Sequence, residues 1–287
     1  MSSRIVVLCG PTGVGKTELS LLLASHFCGD IINADASQMK KGLNIGTAKL
    51  SISEKEKVPH HLFDVIEAND HFSIKDYQNL VRPLFDKITR PFLVGGSGLY
   101  IKAALTNYEL TSPARGQKDY NHLSDLELFT KLEELNPLLA KKTHPHNRRR
   151  VLRYIEISKD GYELKEPIFL YECLILLFSR PRAILYDRIN RRVEEMLRNG
   201  WIDEVKNLVN QGINIKLINE IGYQDIFSLL QGEISYEECL TLIKQRTRNY
   251  AKRQLTWFRN QFPHYEIDLE TTNITEIINI ISQFYNK

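Results

Sequence analysis

The stretch Gly10-Pro-Thr-Gly-Val-Gly-Lys16-Thr17 decides the fold, because it has the spacing of a phosphate-binding loop, G-x-x-x-x-G-K-[ST]. An apolar run at residues 5–9 precedes it and a helical pattern at residues 17–27 follows, which is the context the motif requires. The glycines let backbone N–H groups converge on phosphate oxygens, and the helix adds the positive end of its dipole. We therefore predict a phosphorylated ligand, with Lys16 at its terminal phosphates and the Thr17 hydroxyl on Mg²⁺.

Short apolar runs separated by helical patterns predict the fold class. Runs at residues 30–34, 62–66, 92–94 and 173–178 join residues 5–9 as predicted strands. One intervening helix, at residues 73–88, starts with the capping box Ser73-x-x-Asp76. Strands that alternate with helices pair in parallel through crossover connections. We therefore predict an α/β fold with a P-loop, nucleoside-kinase-like core and a parallel sheet.

The helical content rises after residue 107. Residues 124–135 and 148–157 are predicted helices with no strand between them, so residues 108–147 are predicted to form a small helical insertion. Residues 1–107 and 148–287 then form the P-loop catalytic core. Beyond the strand at 173–178 the core is predicted to be largely helical, with helices at residues 181–199, 202–211 and 221–231, a long one from Ser235 and a terminal one within 271–287.

The composition is ordinary for a globular protein, with 43% hydrophobic and 25% charged residues in a chain of 287. No apolar run is long enough to span a bilayer, so we expect no membrane association. The first strand begins by Arg4, and we expect no secretory signal before it. The four cysteines are scattered without a C-x-x-C pair, which favours a reducing compartment over a zinc site. We expect a cytoplasmic monomer.

Two basic stretches contrast with a net charge of only +3. Positive charge suits backbone phosphates, and rings can stack on unpaired bases, so the two stretches favour RNA or another polyanion as a partner. For either stretch alone, a solvated helix face is an equally good interpretation. The first comprises Lys141, Lys142, Arg148, Arg149, Arg150 and Arg153, and the second comprises Lys244, Arg246, Arg248, Lys252, Arg253 and Arg259, interleaved with Tyr250, Trp257 and Phe258.

Two polar side chains follow predicted strands at the edge where open α/β sheets bind ligands. Asp35 follows the run at 30–34 and could serve as a metal ligand, a general base or a turn aspartate. Ser97 lies in Gly95-Gly-Ser97-Gly, which opens a helix or forms a simple turn. The run at 92–94 ends without a carboxylate, which argues against a motor or switch ATPase. The loop by itself would also fit a nucleoside or shikimate-type kinase.

Motifs along nearly the whole chain resemble, in order and spacing, those of the tRNA dimethylallyltransferases, also called tRNA isopentenyltransferases. Two of them, Ile45-Gly-Thr-Ala-Lys49 and Tyr250-Ala-Lys-Arg-Gln-Leu-Thr-Trp257, are highly specific. On these residues the chain is identified as a member of that family. The other matching segments are the phosphate-binding loop, Ala34-Asp35 to Gln38, His60-His-Leu-Phe-Asp64, Leu93-Val-Gly-Gly-Ser-Gly-Leu-Tyr100 and Glu220-Ile-Gly-Tyr223.

The resemblance implies transfer of a dimethylallyl group from dimethylallyl diphosphate to N6 of the adenosine next to the anticodon in tRNA. Such a reaction must neutralise the departing diphosphate and remove a proton from the attacking amine. By the resemblance, Lys16, with Mg²⁺ on Thr17, serves the leaving group, Asp35 is the general base, and Ser97 stands where the family usually has threonine. The implied diphosphate-binding residues are Gly10, Pro11, Thr12, Gly13, Val14, Gly15, Lys16 and Thr17, with Arg188 and Arg192, for which a surface salt bridge is the alternative.

The resemblance also implies a tRNA-binding side. The target adenine must leave the anticodon loop and enter the protein, and Gln38 could read its edge. The helical insertion would contribute to this surface. The implied tRNA-binding residues are Asp35, Ala36, Ser37, Gln38 and Ser97 near the site, Arg149, Arg150, Val151, Leu152 and Arg153 in the first basic stretch, Gly222 and Tyr223, and Lys252 and Arg253.

The chain departs from the family pattern only on the tRNA side. Ala36 replaces a usual serine, Lys40 replaces a tyrosine, Asn147-Arg-Arg-Arg150 replaces Asp-Pro-Gln-Arg, and the insertion is about one helix shorter. These departures leave two alternatives open: an adenylate isopentenyltransferase acting on a free nucleotide, and a catalytically impaired RNA-binding paralogue. The retained insertion and the basic C-terminal helix argue against the first.

Overall fold

The computed structural model of the protein describes residues 4–108, 120, 122–159 and 168–287. The chain divides into two compact units, one formed by residues 1–108 and 169–287 and the other by residues 109–168. Six strands are described in the first unit: β1 (Arg4–Cys9), β2 (Asp30–Asn33), β3 (His60–His61), β4 (Pro91–Gly95), β5 (Glu172–Ser179) and β6 (Tyr265–Asp268).

The strands form one parallel sheet in the order β3-β2-β4-β1-β5-β6. At the centre, Val6 of β1 pairs with Phe92 of β4 and with Leu174 of β5. A central parallel strand is covered on both faces, which explains why β1 is a continuous apolar run. Because all strands run the same way, their carboxyl ends meet at one edge, and the phosphate-binding loop leaves the sheet there. The predicted α/β fold with a parallel sheet is confirmed.

Helices cover both faces of the sheet. The helices are α1 (Lys16–His26), α2 (Ile52–Lys55), α3 (Ile74–Lys87), α4 (Gly98–Leu105), α5 (Asp125–Leu135), α6 (Pro137–Ala140), α7 (Arg148–Lys159), α8 (Arg182–Arg198), α9 (Trp201–Asn210), α10 (Tyr223–Leu230), α11 (Tyr236–Gln261) and α12 (Ile274–Asn286). Capping boxes start α3, α5 and α11, and the one at Ser73 confirms the predicted start of α3.

Side chains of β1 alternate between two cores of the first unit. Val6 and Leu8 pack in the core that includes residues of α1, α8 and α12, whereas Ile5 and Val7 pack in the core with residues of α3, α4 and α11. A third core joins α8, α9, α10 and α11 around the indole of Trp201. These three cores hold fixed the sheet edge from which the loops of the candidate site emerge.

The second unit is a small helical cluster. Leu128 and Leu132 of α5 pack against Val151 and Ile155 of α7. At the start of α7, the Arg148 guanidinium donates to two backbone carbonyls near the start of α5 and pairs with Asp125 at 3.0 Å. The predicted boundary between residues 147 and 148 is therefore wrong, because α7 belongs to this unit and the chain returns to the first unit at residue 169. Residues 109–119 and 121 of the predicted insertion lie outside the described residues.

Two strand predictions differ from the structure. The third strand is His60–His61 rather than residues 62–66, because Leu62 and Asp64 have φ values of 64° and 54° and so leave the extended conformation. The edge strand β6 was not predicted, since only Ile267 of its four residues is buried and the sequence pattern around it is helical. Within the described residues, no helix has both the length and the apolar character needed to cross a membrane.

Candidate active site

The phosphate-binding loop has the conformation that its glycines predict. Gly10, Gly13 and Gly15 have φ values of 150°, 78° and 110°. A side chain at Gly10 would place its Cβ 2.6 Å from the carbonyl oxygen of Phe178, and one at Gly13 would meet Ile189 at 2.8 Å. The loop therefore needs glycine for its backbone angles and for its close approach to β5 and α8.

Lys16 stands at the mouth of this loop as a partly desolvated cation. Its Nζ donates to the carbonyl oxygens of Gly10 and Pro11, both at 2.9 Å. Burial lowers the pKa of Lys16 to about 8, the negative charge of Asp35 opposes that shift, and the positive charge of Arg192 adds to it. An incoming anion would therefore find a cation whose protonation it favours.

Arginines from α8 and from the end of β5 approach the loop. Arg188 donates from Nε to the carbonyl of Gly13 at 3.0 Å. Burial lowers the pKa of Arg192, and Asp35 partly offsets that effect. Arg180, which the sequence reasoning missed, donates from Nε to the carbonyl of Val14 at 2.8 Å and pairs with Glu270. Its position in the sequence could have indicated this role, because Arg180 directly follows β5 at the sheet edge where α/β proteins bind ligands.

Two cavities open beside the loop. The larger, of about 1050 Å³, is lined by Thr17 and by the cations Lys16, Lys49, Lys57, Arg188, Arg191 and Arg192. The smaller, of about 330 Å³, is lined by side chains that include Asn219, Thr247, Tyr250 and Arg253. Four residues line both cavities: Thr12, Asp35, Thr47 and Arg192. The acid predicted as a general base therefore lies in the wall that the two cavities share.

Asp35 is held in place by its neighbours in the sheet. The buried side chain of Asn33 accepts a hydrogen bond from the Asp35 N–H at 2.9 Å and donates one to the Asp35 carbonyl at 3.0 Å. The Asp35 carboxylate accepts from the N–H of Ser37 at 3.1 Å and caps a 3₁₀ turn over Ala36–Met39. Asp35 therefore caps the 3₁₀ turn and also lines both cavities. A role in the turn and a role as a general base are compatible.

Ser97 contacts the same segment from the neighbouring strand. Its Oγ accepts from the N–H of Ala36 at 3.0 Å, and its own N–H donates to the carbonyl of Ala34 at 3.1 Å. Because that N–H is used, only the hydroxyl of Ser97 remains as a donor for a ligand. Burial raises the pKa of the nearby Tyr250 phenol, and the negative charge of Asp35 adds to that effect.

Gln254 joins the two glycine-containing loops. Its amide accepts from the N–H of Thr12 at 2.8 Å and donates to the carbonyl of Gly96 at 2.9 Å. The side chain is 6% exposed. The neighbouring Lys252 and Arg253 are exposed on α11, and the guanidinium of Arg253 lies 5.9 Å from the centre of the Tyr250 ring. In this motif, therefore, Gln254 faces the loops while the two cations face solvent.

Gln38 anchors the segment that carries Thr47 and Ala48. Its Nε2 donates to the carbonyl of Thr47 at 3.1 Å and to that of Ala48 at 3.4 Å. Gln38 itself lines the larger cavity. Lys40, one of the departures from the family pattern, pairs with Glu220 at 3.1 Å, with side chains 14% and 12% exposed. Where the family usually has a tyrosine, this chain therefore has a lysine that forms an ion pair with Glu220.

Three of the predicted tRNA-binding residues are not at a surface. Val151 and Tyr223 are 0% exposed, and Gly222 is buried against Trp201, where a Cβ would lie 2.2 Å from the ring. The Tyr223 hydroxyl donates to Glu204 at 2.7 Å. We correct the prediction for these residues, because buried groups that pack in cores cannot contact a macromolecule. A motif marks positions without showing which way their side chains point.

Four of the six cations of the first basic stretch lie on α7 of the second unit, whereas Lys141 and Lys142 follow α6. Arg149 and Arg150 are exposed, Leu152 and Arg153 are half-buried, and the helix packs its Val151 side into the core. Arg150 donates to the Tyr154 hydroxyl at 3.1 Å, and Arg153 lies 3.4 Å from Glu156. The helix therefore presents at least two cations to solvent.

The prediction that this site binds Mg²⁺ depends on one protein ligand, the hydroxyl of Thr17. Thr17 lines the larger cavity at the start of α1. Across residues 4–108, 122–159 and 168–287, no group of three or more His, Cys, Asp or Glu is placed to hold a metal ion. A single protein oxygen suits Mg²⁺, which keeps several waters and takes oxygens from substrate phosphates.

The parallel sheet, the phosphate-binding loop and the two adjoining cavities define a P-loop α/β protein with a second pocket of about 330 Å³ beside the loop. The chain belongs to the IPP transferase family, whose model matches residues 38–261. It is 40% identical over 291 residues to a tRNA dimethylallyltransferase of Anoxybacillus flavithermus, with 96% of this chain and 94% of the relative covered. The resemblance identified from the sequence is confirmed.

Nine solved chains match this one, and two of them illustrate the similarity. The crystal structure of a full-length tRNA isopentenylpyrophosphate transferase from Bacillus halodurans matches with a TM-score of 0.76 and 38% identity, over 98% of this chain and 96% of that chain. A eukaryotic dimethylallyltransferase, captured in crystals while acting on tRNA, matches with a TM-score of 0.81 and 26% identity, over 99% and 80%.

Proposed function

We propose that this protein transfers a dimethylallyl group from dimethylallyl diphosphate to N6 of the adenosine next to the anticodon in tRNA. The observation that carries the proposal is the place of Asp35 in the wall shared by the phosphate-loop cavity and the smaller cavity. A diphosphate in the first and an adenine in the second would bring donor and acceptor together at one carboxylate. The relatives at 40% and 38% identity carry the names of enzymes of this activity.

The cations that line the larger cavity neutralise the charge of the diphosphate leaving group. As the allylic C–O bond breaks, its electron pair stays with diphosphate, whose growing charge faces Lys16, Arg188 and Arg192 and the N–H groups of the loop. Lys16 turns from the loop carbonyls to the diphosphate oxygens. Mg²⁺ bound at the Thr17 hydroxyl and the diphosphate would supply further charge neutralisation. Partial burial of Lys16 and Arg192 makes their interactions stronger than in water, whereas Arg188 is exposed.

Asp35 is the general base for the acceptor, the N6 amine of the adenine. The N6 amine forms the new C–N bond with the allylic carbon, and the proton it loses passes to the Asp35 carboxylate. Asn33 holds the backbone of Asp35, and the Ser37 N–H holds its carboxylate. The Ser97 hydroxyl, which accepts from the Ala36 N–H beside Asp35, is the proposed contact to substrate. Ser37 lines the smaller cavity and Gln38 the larger one, so Gln38 is proposed to contact the substrate where the two cavities meet.

The RNA is bound by cations that are exposed or, for Arg153, half-buried. Arg149, Arg150 and Arg153 on α7 and Lys252 and Arg253 on α11 are the proposed contacts to the backbone of the anticodon arm. The adenine leaves the loop to reach the smaller cavity, at a cost of about a few kcal/mol that is lower for unpaired bases. We propose a monomer as the working unit, and tRNA as substrate supports a cytoplasmic location.

One experiment tests this function. The protein is incubated with Mg²⁺ and dimethylallyl diphosphate labelled in the allyl group, together with unmodified tRNA or with AMP. We expect label in tRNA, at the adenosine next to the anticodon, and none in AMP. Label in AMP alone would assign the protein to adenylate isopentenyltransferases, and label in neither would identify an RNA-binding paralogue without activity.

A further inference from the structure

Two segments of the site meet at the first turn of α9. The first is the 44–48 segment and the second is the 219–223 segment, and residues of both line the smaller cavity. A Cβ at Gly46 would lie 2.2 Å from Nε1 of Trp201, and a Cβ at Gly222 would lie 2.2 Å from its Cη2. The indole of Trp201, 2% exposed, therefore lies between the two segments.

One carboxylate, three residues further along α9, hydrogen-bonds to both segments. Oε2 of Glu204 accepts from the N–H groups of Asn44 at 2.9 Å and Ile45 at 2.7 Å. Its Oε1 accepts from the N–H of Gly46 at 3.2 Å and from the Tyr223 hydroxyl at 2.7 Å. Three consecutive backbone donors of one segment and a phenol of the other are thus satisfied by a single charged group.

The 44–48 segment, which Glu204 holds, adjoins the proposed reaction centre. Its Thr47 lines both cavities, and the carbonyls of Thr47 and Ala48 accept from Gln38, which lies in the same 3₁₀ turn that Asp35 caps. A shift of the 44–46 backbone would therefore move Thr47 and release the Gln38 amide.

We propose that Glu204 is a positioning residue for the proposed transfer reaction: it locks the 44–48 segment to the 219–223 segment and so fixes the wall of the adenine-accepting cavity. The inference rests on the proposed function for its kinetic part only. A carboxylate suits this place because it only accepts, and all four partners donate to it. A glutamine would direct its NH₂ group either at the N–H groups of Asn44 and Ile45, which would both lose their acceptor, or at the Gly46 N–H, which would lose its acceptor, and the Tyr223 hydroxyl, which can turn to accept.

The test compares Glu204→Gln, Glu204→Ala and Tyr223→Phe with Asp203→Ala. Asp203 is the adjacent acid of the same helical turn, its side chain is 73% exposed, and it pairs only loosely with Lys206 at 3.3 Å. The first readout is hydrogen exchange at the amides of residues 44–46. We expect Glu204→Gln to speed that exchange by about tenfold or more, with the amides of β1 unchanged.

The second readout is the kinetics of transfer to tRNA. We expect Glu204→Gln and Glu204→Ala to raise KM for tRNA and lower kcat by about tenfold or more, while the dissociation constant of the diphosphate donor stays unchanged. Tyr223→Phe, which keeps the three backbone hydrogen bonds, should fall between these variants and the unmodified protein. Asp203→Ala should match the unmodified protein in both readouts.

Three outcomes would overturn the inference. Exchange at residues 44–46 that stays slow in Glu204→Gln would show that the carboxylate does not hold the segment. Exchange that rises equally in β1 would show a general loss of stability instead of local positioning. Unchanged KM and kcat alongside faster local exchange would show that the segment does not serve the reaction. An unmodified protein without transfer activity would instead contradict the proposed function, and the exchange result would still decide whether Glu204 holds the segment.

Discussion

Gln254 of α11 accepts a hydrogen bond from the N–H of Thr12 in the phosphate-binding loop at 2.8 Å, across 242 positions of the chain. The same amide donates to the carbonyl of Gly96 at 2.9 Å. Both loops leave the sheet at the edge where the two cavities lie, so one buried side chain from the C-terminal half sets the spacing between them. Helix α11 is therefore part of the site and not an addition to a complete P-loop core.

Replacement of Gln254 should separate these loops. Gln254→Ala leaves the Thr12 N–H and the Gly96 carbonyl without their partner, which we expect to lower the free energy of unfolding by about 1 to 3 kcal/mol. Donor binding should weaken as well, because the loop loses its anchor. Denaturant unfolding and calorimetric titration with dimethylallyl diphosphate measure the two effects. Gln261→Ala, an exposed glutamine on the same helix, is the control, and equal behaviour of the two variants would remove the role given to Gln254.

Replacement of Asp35 should separate chemistry from binding. Asp35→Asn keeps an oxygen that can cap Ser37 but removes the base, so we expect the rate of transfer to fall by about a hundredfold or more. Donor affinity should stay nearly unchanged, since the loop and its cations are intact. Single-turnover assays and donor titration give the two numbers. A parallel loss of donor binding would instead make Asp35 a metal ligand or a structural residue.

The pKa of Lys16 predicts the pH dependence of donor binding. Burial lowers that pKa to about 8, so the lysine of the free enzyme is charged below this pH and loses its proton as the pH rises through it. A diphosphate binds the charged form, and apparent affinity should therefore fall above pH 8, by up to about tenfold per pH unit. Lys16→Met should bind weakly at neutral pH and lose this dependence, whereas Lys206→Met should retain it. Affinity that is flat to pH 10 (about the range of an ordinary lysine) in the unmodified protein would contradict the assignment.

The exposed arginines of α7 should act on RNA alone. The double variant Arg149→Ala/Arg150→Ala should raise KM for tRNA and leave donor binding unchanged. The slope of log affinity against log salt should become shallower by about 0.7 to 0.9 for each phosphate that the variant no longer neutralises. Lys75→Ala/Lys206→Ala removes two exposed cations from other helices and serves as the charge-matched control. If both double variants weaken tRNA binding equally, the effect is one of net charge and not of a specific interaction on α7.

The Lys40–Glu220 pair should show up as a coupled contribution to stability. Lys40→Met leaves the Glu220 carboxylate largely buried without its cation, and we expect the free energy of unfolding to fall by about 1 to 3 kcal/mol. Adding Glu220→Gln should recover most of that loss, because the unpaired charge is then gone. Denaturant unfolding of the two single variants and the double variant measures the coupling. Additive losses would show that the two side chains act independently.

Local signals in the sequence predicted the parts of the site that are contiguous in the chain. The phosphate-binding loop, Asp35 after β2 and Ser97 after β4 could be placed because each follows a strand within two or three residues. The capping boxes of α3 and α11 likewise lie within four residues. Such features depend on neighbours in sequence, so a single chain is enough to find them.

The parts that failed depend on contacts between distant segments. Gln254 and Glu204 act on loops that lie 242 and about 160 positions away, and nothing in their own surroundings indicates this. Tyr223 and Val151 were misassigned because a motif gives position without side-chain direction, and packing turned both inward. The edge strand β6 is too short and too polar to be separated from its helical surroundings.

The central claim is that Asp35 stands between a diphosphate held by the loop and the N6 amine of an adenine. A crystal structure of Asp35→Asn with an anticodon stem–loop and an unreactive thio analogue of the donor tests it most directly. We expect the diphosphate against Lys16 in the phosphate-binding loop and N6 within about 3 Å of residue 35, in the smaller cavity. A diphosphate bound away from the loop, or an adenine outside that cavity, would contradict the account.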